Sequence, residues 1–167
     1  PPENRLAIGT KGALRIEIEA RGKTAHSAYP ELGESATEKL LEALNRVRTI
    51  PLPEDAVLGK TTCNIGILEA GVAPNVIPDL ARAELMYRLV ASGEALFASV
   101  QAAVGKLATV KRILEIPAVR LSGMDGIETT VVAFATDIPS LPAWGQPFLI
   151  GPGSLHVAHS VDERIAK

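Results

Sequence analysis

Along residues 13–20, ALRIEIEA, apolar Leu14, Ile16 and Ile18 alternate with charged Arg15, Glu17 and Glu19, the period-two pattern of a strand with one buried face. From 34 to 48, Ala36, Leu40, Leu41, Leu44 and Val47 recur with helical spacing, and the prolines at 51 and 53 close that helix. Residues 58–69, LGKTTCNIGILE, alternate again at Cys63, Ile65 and Ile67 and predict a second strand. The stretch 70–79, with two prolines and a glycine, is a connection. Residues 80–90, LARAELMYRLV, read as a third strand, although Glu84 and Arg88 are also spaced for a helical pair. Ser92 then supplies an N-cap for a helix over 93–109, with Leu96, Val100, Val104 and Leu107 on one stripe. Residues 110–119 form a last strand, and Pro117 marks its edge or end.

The order β-α-β-β-α-β over residues 12–117 predicts an α+β fold, a ferredoxin-like two-layer sandwich with both helices on one face of an antiparallel sheet. An edge strand of such a sheet can pair with a twofold mate. Residues 1–11, which carry Pro and Gly, read as a linker into the first strand. Residues 118–167 differ in kind. The apolar runs 129–134 and 148–150, bounded by turn residues, predict buried strands of an incomplete α/β segment appended to the sandwich.

Composition narrows the classes of function. Seventeen basic and nineteen acidic residues leave a net charge of −2 without a basic block, so nucleic-acid and membrane-surface binding have no electrostatic support. The single cysteine, Cys63, excludes an internal disulfide, and a reducing, cytoplasmic setting is the default expectation. No apolar run approaches the ~20 residues of a membrane span. Pro1 in place of an initiator Met leads us to expect a fragment.

Candidate chemistry lies at the element ends. His26 sits in the turn RGKTAHSAYP between the first strand and helix, where a side chain on rigid supports meets a ligand. Asn75, flanked by Pro74 in a loop, and Arg88, near a strand end, offer an amide and a guanidinium fork, a pair suited to a carboxylate. Taken singly, these three also fit a surface histidine, a turn residue and an exposed strand cation. His159 follows the turn at 151–153, with Asp162 and Glu163 behind it; imidazole suits zinc, and a nearby carboxylate orients the ring. One imidazole does not make a site, and Ser160 equally reads as the cap of a following helix.

Four segments, GTKG (9–12), GKTAHSAYPELGESA (22–36), GVAPNVIPDLARAELMYR (71–88) and GPGSLHVAHSVDERI (151–165), resemble in order and approximate spacing the M20 metallopeptidase family. The resemblance covers nearly the whole chain. It implies a lid and dimerisation domain over 12–117 joined to part of a zinc-binding catalytic domain over 118–167. It implies that His26 reaches into the partner subunit's active site and polarises the scissile carbonyl. By the same resemblance Asn75 and Arg88 bind substrate, His159 is a metal ligand, and His156 has no assigned role. The implied cofactor is a pair of zinc ions, with cobalt or manganese as alternatives. The implied reaction is deacylase-like hydrolysis of an N-acyl amino acid or peptide with a free carboxylate, in a homodimer joined through the lid. The family's HxD motif, bridging Asp and Glu-Glu pair have no counterpart here, so this chain alone is expected to be inactive. The competing expectation is a stand-alone ferredoxin-like dimerisation or binding module without catalysis.

Overall fold

The structure, a computed structural model, describes residues 5–151 and Val161. In chain order the elements are β1 (Leu6–Thr10), β2 (Gly12–Arg21), β3 (Ala25–His26), α1 (Ala36–Arg48), β4 (Glu54–Asp55), β5 (Gly59–Lys60), β6 (Thr62–Ala70), β7 (Val76–Ile77), β8 (Leu80–Leu89), α2 (Gly93–Val104), β9 (Thr109–Ile116), β10 (Val119–Arg120) and β11 (Thr129–Val132). The main sheet has the order β6-β8-β2-β9, every pair antiparallel, and the chain runs β-α-β-β-α-β through it.

Period-two patterning places Leu14, Ile16 and Ile18 of β2 and Ala83, Leu85 and Tyr87 of β8 on one buried face. Against that face α1 packs Leu40, Ala43, Leu44 and Val47, and α2 packs Leu96, Val100 and Val104, in a single cluster. The Ser35 hydroxyl caps α1 by accepting the Glu38 N–H at 3.2 Å. Ser92 occupies the N-cap position of α2 without a side-chain bond. The second helix stops at Val104 rather than 109, because Gly105 takes a φ of 56° and turns the chain.

Three further expectations are corrected: the run 148–150, expected as a buried strand, contributes only an isolated bridge at Leu149, with Phe148 and Ile150 exposed. Residues 6–10, read as linker, form β1, with Leu6 and Ala7 buried between antiparallel β10 and parallel β11. The sequence Leu-Ala-Ile satisfies a strand, and the flanking prolines and glycines obscured it. The three strands make a second sheet, joined by a bridge from Ala7 to Leu149. Strand β6 also departs from simple alternation: the register against β8 slips between Ile65 and Ile67, so Gly66 is the extra residue of a bulge. Cys63 and Ile65 oppose Tyr87 and Leu85 on the helix side, whereas Ile67 opposes Glu84 on the open face and Leu68 takes the helix side. All nine residues of β6 are exposed.

Candidate functional site

The loop from Gly22 to Ser35 is tied down at both ends. Gly22 N–H donates to Asp79 O at 2.8 Å, Lys23 and Glu34 exchange bonds of 2.8 and 2.9 Å, and Ala36 N–H donates to Pro78 O at 2.8 Å. Gly22 is required there by space: a Cβ would stand 1.9 Å from Glu34 O. Within the loop β3 pairs antiparallel with β7, setting Ala25 opposite Ile77 and His26 opposite Val76. Ser27 N–H then donates to Asn75 O at 3.0 Å. The turns carrying His26 and Asn75 are therefore one unit, at the end of the sheet where β8 begins, and both residues are exposed.

His26 Nδ1 accepts the Ala28 N–H at 3.1 Å, and the Tyr29 ring meets the imidazole edge-on, 6.4 Å between centroids at 61°. Tyr29 is 59% exposed. Sequence reasoning passed over Tyr29 and the Ala28 amide; the signal available was the run HSAYP, whose proline marks a tight turn immediately after an aromatic.

Arg88 lies elsewhere. It sits on β8 opposite Thr62 and Ala13, on the face away from the helices, eight positions along the strand from Leu80. At the rise of a strand that places it on the order of 25 Å from the His26–Asn75 end. Among the described residues it has no ion-pair partner. Its neighbours on that face are engaged: Arg15 Nε donates to Glu84 at 2.7 Å, and Arg82 Nε to Glu69 at 2.7 Å. One chain thus joins two of the three predicted lid residues and holds the third apart.

Beside β6, a groove of about 510 Å³ opens between that strand and the C-terminal half of α1, lined by Leu44, Val47, Ile50, Leu52, Cys63 and Tyr87. Desolvation pushes the Cys63 thiol above its ordinary range, opposed by a hydrogen bond with Tyr87, and burial pushes the Tyr87 phenol far up.

His156 and His159 lie outside the described residues. Among the described residues no three His, Cys, Asp or Glu side chains cluster as a metal site would need, so these residues do not by themselves fit a zinc pair.

The family described as the M20 peptidase dimerisation domain matches residues 8–112. A probable carboxypeptidase of Neosartorya fischeri is 38% identical over 188 residues, spanning 99% of this chain and 43% of the relative. A peptidase M20 domain-containing protein of Schizosaccharomyces pombe is 34% identical over 168 residues, 99% of this chain and 42% of its own length. The chain therefore spans about two fifths of these curated relatives. Among solved structures, a tripeptidase from Staphylococcus aureus superposes with a TM-score of 0.68 at 19% identity, covering 92% of this chain and 47% of that one. Aminopeptidase PepT from Bacillus cereus gives 0.63 at 21%, covering 81% and 41%. These two show the mixed α/β fold.

Proposed function

The chain belongs to the M20 peptidase family through its dimerisation domain, and from that premise we propose that it is the ferredoxin-like lid of an amide hydrolase joined to a fragment of its α/β catalytic domain. The proposed substrate is an N-acyl amino acid or peptide with a free carboxylate, cleaved in a deacylase- or carboxypeptidase-like reaction. His159 is proposed as one ligand of a metal pair, zinc or else cobalt or manganese, that would activate the attacking water. The remaining ligands are sought outside the described residues, and the lid's own part concerns the other end of the reaction.

As water adds to an amide, negative charge grows on the carbonyl oxygen, and a donor already in place there lowers the barrier. His26, exposed on a pinned turn, is suited to that task. Asn75 on the adjoining turn offers an amide to the same substrate. Arg88, without an ion-pair partner among the described residues, offers its fork to the carboxylate.

The observation that carries this reading is the distance between them. In one chain Arg88 cannot reach a substrate held by His26 and Asn75. Two chains remove the difficulty if the exposed edges β6 pair antiparallel about a twofold axis near Gly66. Thr62 of one subunit then stands opposite Ala70 of the other. Thr62 is in register with Arg88, and Ala70 with Ala81, next to the His26 end. The partner subunit's Arg88 comes level with that end, three strand spacings away, about 14 Å. A long side chain and a dipeptide-sized substrate span such a gap.

His26→Ala in the full-length protein carrying this chain is expected to lower kcat by roughly 10²- to 10³-fold. Because the side chain is exposed, the melting temperature should hold. An unchanged kcat in steady-state assays would remove His26 from the reaction.

A further inference from the structure

We propose that the backbone N–H of Ala28 is a positioning group that locks His26 as its Nε2–H tautomer. The inference rests on the reading of His26 as donor to the scissile carbonyl and adds how the donor is prepared.

A neutral imidazole has one donor and one acceptor nitrogen, and the proton's place is set by what the other nitrogen meets. Here the Ala28 N–H points at Nδ1 from 3.1 Å, so that nitrogen must keep its lone pair. The proton then sits on Nε2, across the ring from the turn. Three successive amides are used to hold this arrangement. Ser27 N–H is anchored on Asn75 O at 3.0 Å, Ala28 N–H on the imidazole, and Tyr29 N–H on His26 O at 2.9 Å. The Tyr29 ring against the imidazole opposes rotation that would withdraw Nδ1 from its donor.

The other tautomer would present a lone pair to the carbonyl oxygen and repel the charge that grows there. An unlocked imidazole spends part of its time in that form, and the apparent rate falls with the competent fraction. The lock matters because the ring is exposed, with no buried side-chain partner among the described residues to choose the tautomer.

The test is nitrogen NMR on the full chain labelled with 15N, followed across a pH series into the alkaline range where the His26 signals no longer change. His26 signals are identified by their loss in His26→Gln. The expected result is a pyridine-type shift at Nδ1, a pyrrole-type shift at Nε2, and a scalar coupling between Nδ1 and the Ala28 amide nitrogen. Ala28→Pro removes the donor and should average both shifts, while lowering kcat of the full-length protein severalfold. Averaged shifts or a protonated Nδ1 in the unmodified chain overturn the lock, as does an Ala28→Pro spectrum unchanged at His26. The wild-type coupling keeps the test decisive should the proline variant fail to fold. If instead the coupling is present and His26→Ala keeps full kcat, the lock stands and the catalytic reading fails.

Discussion

Asp55 ties the β4–β5 hairpin to strand β10 of the second sheet. Its Oδ1 accepts the N–H groups of Val57 and Leu58, both at 2.8 Å, and its Oδ2 accepts Arg120 Nη2 at 2.6 Å. The Leu58 bond first and then the Val57 bond hold its carboxyl below the usual 3.8 against desolvation, and the Arg120 charge and hydrogen bond add a smaller downward push. A carboxylate with a depressed folded pKa contributes stability that is fully present above its unfolded value and lost as pH falls through the folded one. Asp55→Asn should therefore be less stable than the parent near neutrality, with the gap closing below about pH 4 in urea unfolding series. A gap independent of pH would show that the carboxylate's charge is not what matters. Nothing in the sequence pairs residue 55 with residue 120. Such an ion pair joins positions far apart in the chain, whereas the exposed turn that carries His26 was legible because a periodic strand breaks there before a periodic helix. Placing Asn75 beside it needed the two-residue ladder of β3 and β7, too short to leave a period.

Element by element, β6 is the anomaly. A nine-residue edge strand exposes Ile65, Ile67 and, at 55%, Leu68, with a groove alongside it under the end of α1. Unpaired edges of that length invite pairing, and natural sheets usually blunt them with charge or proline. The double substitution Ile65→Glu and Leu68→Glu is expected to raise the dimer dissociation constant by on the order of 10²-fold or more, from lost burial and like charges at a twofold contact. Sedimentation velocity checks this, with far-UV circular dichroism to show that the sandwich survives; a dimer of undiminished affinity would place the interface elsewhere. The helices and long strands were readable because their period follows directly from which face is buried. β1 was not, since a five-residue strand between β10 and β11 draws its burial from residues more than a hundred positions away. The bulge at Gly66 likewise hid which of Ile67 and Leu68 faces the helices, because one inserted residue reverses every side chain beyond it.

At the scale of the whole molecule, the sandwich carries His26 and Asn75 at one end and Arg88 toward the other, and the proposed twofold pairing of edges would turn this separation into a composite site. Each site would then draw the histidine and asparagine from one subunit and the arginine from the other. Exposed Trp144 and Phe148, with Leu141 beside them, form an apolar surface on the segment that follows β10. The sequence could not have shown that Arg88 stands a strand's length from His26 and Asn75, since spacing along the chain says nothing about the ends of a folded sheet.

The most direct test is complementation between two inactive variants of the full-length protein, His26→Ala and Arg88→Ala, mixed in equal amounts and allowed to exchange subunits. If each site takes His26 from one subunit and Arg88 from the other, the mixed dimer keeps one intact site. Half the dimers being mixed, the solution should recover about a quarter of wild-type activity. If both residues serve a site from the same chain, every site in the mixture lacks one of them, and activity staying at the level of the separate variants would contradict the account.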